Sequence, residues 1–190
     1  MNINGNKVIG IIQARMGSTR FPGKMSADLG GYPIIDWVIR RSKQSQLVHK
    51  LVLATSTLKE NDYLIKRAKK YLIDSYRGSE NNVLSRFVDV SKKENADVIV
   101  RICADNPFIC GSEIDRLIKF YISNDCEYSC NHQNKLKSGY ADGFGAEIFS
   151  KELLYKVNAL VKNNYHREHV TSFIWDNQDD FNIKPVPSPK

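Results

Sequence analysis

Residues 7–24, KVIGIIQARMGSTRFPGK, decide how the rest of the chain is read. The first half, KVIGIIQ, is a continuous, largely β-branched run without polar alternation, the pattern of a strand buried on both faces of a parallel sheet. It passes directly into a loop holding Arg15, Arg20 and Lys24 together with Gly17, Gly23, Ser18, Thr19 and Pro22. That composition suits an anion. The backbone N–H groups of Gly17, Ser18 and Thr19 can form a nest, and a glycine lets a ligand approach closely. The two arginines offer bidentate donors and Lys24 a point charge, on a turn stiffened by Pro22. Each charge-assisted hydrogen bond to a phosphate is worth about 1.5–3 kcal/mol.

The spacing excludes the commoner phosphate loops. A Walker loop requires G-x-x-x-x-G-K followed by Ser or Thr, but Met25 follows Lys24 here, leaving no hydroxyl for magnesium. The dinucleotide fingerprint G-x-G-x-x-G is also absent. Neither an ATPase of that type nor a dehydrogenase is indicated.

Outward from this stretch, the chain alternates strand and helix. Gly30 and Gly31 form a tight turn, Pro33 stands at a helix start, and Ile34, Ile35, Trp37, Val38 and Ile39 are expected on that helix's buried side. KLVLATS (50–56) is a second strand, ENDYLIKRAKKYL (60–72) an amphipathic helix and NVLSRFVDVSKKEN (82–95) a third helix. DVIVRICAD (97–105) is a third strand, and SEIDRLIKFYISN (112–124) a helix with a capping-type start. Beyond residue 125 the pattern loosens. CEYSCN (126–131) and GAEIFS (145–150) read as strands antiparallel to the rest, YHREHVTSFIWDN (165–177) as one final helix, and PVPSP as an extended end. The alternation specifies an α/β fold, a Rossmann-like and mostly parallel sheet flanked by helices. Ligands in such sheets sit beyond the carboxyl ends of the strands. Three stretches fall there and are expected to converge: 14–24, 55–57 and 104–107.

Bulk properties narrow the class further. The chain has 190 residues, enough for one domain over 1–190. The formal charge is +7, but the lysines fall on solvent faces of helices, with no interleaved aromatic residues. The sign therefore points to a small polyphosphate and not to nucleic acid. No stretch reaches the roughly 20 apolar residues of a membrane span. The N-terminus MNINGNKV lacks signal-peptide zones, so a cytoplasmic location is expected. Cys103, Cys110, Cys126 and Cys130 are spaced unlike a zinc ribbon and are expected as buried thiols. His166 and His169 share a helix turn without a third ligand, which favours a surface or substrate-facing role over zinc.

QARMGSTRFPGK (13–24) resembles the N-terminal signature of sugar nucleotidyltransferases of the spore-coat-polysaccharide type, relatives of the CMP-acylneuraminate and CMP-3-deoxy-manno-octulosonate synthetases. LVLATSTLKEND, YRGSENNVLSRF, VRICADNPFI, DGFGAEIFS and REHVTSFIW agree with the family in the same order. The resemblance implies transfer of a nucleoside monophosphate, from CTP, to a sugar or sugar-acid acceptor with release of pyrophosphate, serving surface-polysaccharide synthesis. It implies nucleotide binding by Gln13, Ala14, Arg15, Gly17, Ser18, Arg20, Lys24, Thr55, Arg77, Gly78 and Ser79, with Arg15, Lys24 and Asp105 catalytic. Asp105, in CADNPF, is the implied Mg2+ ligand, the bland alternative being a helix cap or turn residue. Asp142, Glu147 and His169 are candidates near the acceptor. Relatives carry a further acidic motif of the form VDTPED after the block matching REHVT, and residues 1–190 are expected to stop short of it. A homodimer through the later part of the chain is implied as well. A nucleotide-binding module without turnover and a nucleotide-dependent kinase stay open as alternatives.

Overall fold

The 7–13 run folds as expected, into β1 (Val8–Gln13), which is paired on both sides. The computed structural model describes residues 5–18, 20–131, 139–140 and 143–189. β1 lies between β4 (Lys50–Ser56) and β6 (Val98–Cys103), parallel to both. Beyond β4, β5 (Asp74–Gly78) forms one edge. On the other side follow β8 (Glu147–Ser150), β7 (Tyr128–Cys130) and β9 (Ile183–Pro185), giving the order β5-β4-β1-β6-β8-β7-β9. A separate hairpin, β2 (Asp28–Leu29) with β3 (Tyr32–Pro33), turns at Gly30 and Gly31, whose φ values of 60° and 86° need glycine.

Alternate side chains of β1 enter two different cores, so the strand has no polar face. Val8 and Ile12 pack under α1 (Ile34–Ser42), α2 (Asp62–Lys70) and α4 (Gly111–Ser123). Ile9 and Ile11 pack under α3 (Val83–Lys93), α5 (Lys151–Leu160) and α7 (Ser172–Asp176). Gly10 is required by closeness, since a Cβ there would lie 2.5 Å from Leu51 Cδ2. Side-chain caps begin three of the described helices: Asn82 accepts from Ser85 N–H, Ser150 from Leu153 N–H and Asn163 from His166 N–H. All four cysteines remain thiols, but only Cys130 is buried as expected; Cys103, Cys110 and Cys126 are half-buried. Among the described residues no helix is long and apolar enough to cross a membrane.

Several local expectations need correction. β5 is a short polar edge strand, half-buried and paired only with β4, and its DSYRG sequence carries no hydrophobic period. Of the two late strands only β8 runs antiparallel to β6; β7, antiparallel to β8, points with the rest of the sheet. On α1 the buried set is Ile35, Asp36, Val38, Ile39 and Ser42. Trp37 instead turns to the rim, where its Nε1–H donates to Leu29 O at 2.6 Å and its ring packs edge-on against Tyr32. The single final helix is two, α6 (Asn164–Glu168) and α7, because Val170 and Thr171 dip into the protein between them. α4 takes no side-chain cap: it begins at Gly111, where a Cβ would meet the backbone of Gln44 and Ser45 at 2.7 Å.

The buried Asp36 accepts from Arg67 Nε at 2.7 Å and from Tyr71 Oη at 2.6 Å, locking α1 to α2. Asp36→Ala strands the Arg67 guanidinium, and the expected loss is about 3 kcal/mol in a denaturant melt. Asp97 accepts from Lys7 N–H and Lys151 Nζ. The Lys151 ammonium first, then the Lys7 N–H, hold its carboxyl below the ordinary value of 3.8. Stability from this carboxylate is thus present above that value and disappears as pH falls through the lowered folded one. Asp97→Asn is expected to flatten the acid limb of stability against pH while lowering stability at neutral pH.

Candidate functional site

The chain runs β1 to β4 to β5 on one side, then returns across the sheet to β6. This leaves a crevice at the carboxyl ends of β1 and β6, where strand order reverses. A cavity of about 650 Å³ opens there. Its rim is the loop that follows β1, and its floor comes from β6 and the first turns of α3. A smaller cavity of about 270 Å³ lies away from these loops, near Ser42, His49 and Asp74.

Both ends of the β1 loop are pinned by the core. Ala14 is buried and donates to Ala54 O at 3.2 Å; Met25 is buried in the α1 side. Between them, Met16 N–H donates to Asn61 Oδ1 at 2.8 Å, and Asn61 is itself fully buried against Ser56. Gly17 lies where a Cβ would come within 2.9 Å of Glu60 Oε1. Gly23 takes a left-handed φ of 70°, starting the short turn Lys24–Ser26 that aims Lys24 at the cavity. The polar atoms of the loop are therefore presented by a backbone that the core holds in place.

Of the residues singled out from the sequence, Gln13, Ala14, Arg15, Gly17, Ser18, Arg20, Lys24, Asp105 and His169 line this one cavity. Lys24 Nζ and Asp105 Oδ2 meet across it at 3.5 Å, with Asp105 more than half exposed. Asp105 sits in the turn that follows β6, as the alternative reading allowed, but it is not a helix cap, since α4 begins only at Gly111. Arg15 stands between two carboxylates, 2.7 Å from Glu168 Oε1 and 3.7 Å from Glu80 Oε1.

The remaining candidates lie elsewhere. Arg77 donates to Asp62 Oδ1 at 2.5 Å and to the carbonyls of Ser56, Thr57 and Leu58, tying β4 to the start of α2. Thr55 is fully buried, and Ser79 accepts from Asn82 N–H at the entry to α3. Gly78 touches the site only through a neighbour, because a Cβ there would meet Arg86 Cγ at 2.9 Å. Glu147 does not face the cavity: it sits in strand register with Arg101 and receives its Nη1–H at 2.6 Å, nearly out of solvent. Asp142 and Thr19 lie outside the described residues.

Besides the apolar Met25 and Val83, the cavity is lined by Arg86, Arg101, Cys103 and Glu168, none of which the sequence reading singled out for it. Arg101 also donates from Nε to Gln13 Oε1 at 3.2 Å and from Nη1 to Thr171 Oγ1 at 3.4 Å, so the REHVT block meets the site through Glu168, His169 and Thr171. A readable signal existed for Arg86, which interrupts the apolar face formed by Val83, Phe87 and Val90 on α3. The arrangement offers a row of cations with two carboxylates among them, Glu168 against Arg15 and Asp105 against Lys24. Among the described residues no group of three His, Cys, Asp or Glu side chains could hold a metal by itself. A hard divalent ion fits only if Asp105 shares it with oxygens of a bound phosphate, which is ordinary coordination for magnesium.

The cytidylyltransferase family profile matches residues 9–186. Spore coat polysaccharide biosynthesis protein SpsF of Bacillus subtilis is 32% identical over 190 residues, spanning 97% of this chain and 77% of that protein. A solved cytidylyltransferase from Leptospira borgpetersenii is 32% identical with a TM-score of 0.90, over 97% of this chain and 77% of that one. The structure of CMP:2-keto-3-deoxy-manno-octonic acid synthetase complexed with CTP, at 17% identity, shares the fold with a TM-score of 0.71 over 96% and 90% of the two chains.

The pairing of Arg15 with Glu168 opposes any anion that competes for the guanidinium. Glu168→Gln is expected to tighten pyrophosphate binding by up to about fivefold in calorimetry, the worth of an exposed ion pair. Unchanged affinity would mean that the loop does not offer Arg15 to anions.

Proposed function

The chain belongs to the cytidylyltransferase family, and from that premise we propose that it transfers CMP from CTP to a sugar or sugar-acid acceptor, releasing pyrophosphate. The observation that carries this reading is the meeting of Lys24 and Asp105, brought from the β1 and β6 connections to one side of the cavity. The acceptor oxygen attacks the α-phosphorus. A new P–O bond forms, the bond to the bridging oxygen breaks, and the electron pair leaves with pyrophosphate. Little covalent work falls to the protein; it must place the chain of phosphates and stabilise charge.

The nest around Gly17 and Ser18, with Arg15, Arg20 and Lys24, receives the triphosphate. Lys24 and Arg15 stabilise negative charge that grows on the α-phosphate oxygens and the departing pyrophosphate. Asp105 is the residue that would hold Mg2+ in company with phosphate oxygens, and the ion would supply charge neutralisation there. His169, exposed and lining the same cavity, is the residue assigned here to the acceptor. Residues 1–190 act as one nucleotidyltransferase domain, working in the cytoplasm where nucleoside triphosphates are available. Release of pyrophosphate, as opposed to a transferred γ-phosphoryl group, separates this reading from a kinase.

Incubation with CTP, magnesium and a panel of sugar phosphates and sugar acids is expected to release pyrophosphate. Lys24→Ala and Asp105→Asn should each slow release by on the order of a hundredfold, the usual cost of one charge-stabilising group. Release at the wild-type rate in both variants would remove the mechanism.

A further inference from the structure

Arg86 is sealed inside a helix–sheet interface, where an arginine is rarely found, and is only 1% exposed. It sits on the inner face of α3 among Val83, Phe87 and Val90, and reaches the floor of the large cavity. Its hydrogen bonding is incomplete. Nε–H has no partner, and Nη1 makes a single long contact of 3.5 Å to Ala54 O. That carbonyl already accepts from Ala14 N–H at 3.2 Å, so it does not need the arginine. Among the described residues no carboxylate reaches ion-pair distance of Arg86; the nearby Glu80 pairs with Arg15 instead. Burial pulls the guanidinium below the ordinary arginine value; the nearby Glu80 carboxylate partly opposes this, and the adjacent Arg15 adds to it.

A buried cation with no carboxylate in direct contact is a standing cost to the folded state. The backbone is nevertheless shaped to keep it. Gly78 leaves room for both the Arg86 stem and the Tyr76 ring: a Cβ there would lie 2.9 Å from Arg86 Cγ and 2.9 Å from Tyr76 Cε1. Building on the cytidylyltransferase reading, we propose that Arg86 is an anion-binding residue of the cavity floor, donating from its open N–H groups to an oxyanion of the nucleotide's phosphate chain. The rim cations stay solvated and exchange partners, whereas this one is dehydrated in advance and gains a full charge-assisted bond when the ligand arrives. An oxyanion suits it better than the neutral edge of a base, because only the former cancels the buried charge. The same argument reassigns Gly78: it acts by clearing space for Arg86, not by touching the ligand.

Calorimetry with CTP and with inorganic tripolyphosphate, on wild type, Arg86→Met and Gly78→Ala, tests this. Arg86→Met is expected to bind both ligands at least tenfold more weakly, while the unliganded protein melts no lower than wild type, since a buried unpaired charge has been removed. Gly78→Ala keeps the charge but displaces the stem, and should weaken both ligands in the same direction; it also covers the case of an unfolded Met variant. Wild-type affinity for tripolyphosphate in a folded Arg86→Met protein overturns the proposal, whether the variant melts lower, as for a packing residue, or loses affinity only for CTP, as for a base contact. A wild-type protein that binds tripolyphosphate but not CTP sinks the cytidylyltransferase reading alone, and the Arg86 comparison is then read with tripolyphosphate. Binding of neither ligand sinks both.

Discussion

The pairing of β1 with β4 on one side and β6 on the other is the interaction on which everything else rests. It places the carboxyl end of β1 at the point where the chain reverses its course across the sheet. There the backbone N–H groups and carbonyls at the strand ends are no longer all used by the ladder, and a loop can leave the sheet without burying unsatisfied groups. Ala14 and Met25, both in the core, then hold the ends of that loop. Hydrophobic burial at these two positions fixes where Arg15 and Lys24 can go, so the charge pattern of the cavity is a consequence of apolar packing.

The same logic governs the far side of the cavity. β6 delivers Arg101 in register with Glu147 of β8, and this pair, shielded from solvent, needs its further bonds to Gln13 and Thr171. A buried ion pair is poor support for stability on its own, but one that joins β1, β6, β8 and the α6–α7 connection ties four segments to one geometry. Glu168 and His169 reach the rim because Thr171 is drawn inward beside Arg101. Position at the site is thus set from below, by the ion pair, as much as from the loop above.

Charge in the cavity is unevenly satisfied, and the unevenness is informative. Arg15 is held by two carboxylates, Lys24 by one more distant carboxylate, and Arg86 by a lone carbonyl. Exposed pairs of the first kind exchange easily with a ligand because they contribute little. The buried guanidinium has no such alternative, and a ligand anion is worth most where water has already been excluded.

From the residues alone, the continuous apolar runs at 8–13, 50–56 and 98–103 determined the parallel sheet, and the glycine-and-cation loop after the first run pointed to the rim of the large cavity. Both are legible because burial on two faces and an anion nest demand particular residue types at consecutive positions. The resemblance of the quoted blocks carried the family assignment. Only tertiary structure decided the rest. β5 has no period of its own and exists because β4 offers it an edge. Arg77 and Arg86 look equally available in YRGSENNVLSRF, yet one closes the β4–α2 connection and the other lies beneath the cavity. Glu147 reads as a polar residue in a loose segment, but strand register puts it opposite Arg101. Which way a charged side chain points depends on neighbours distant in the chain, and local sequence carries no record of them.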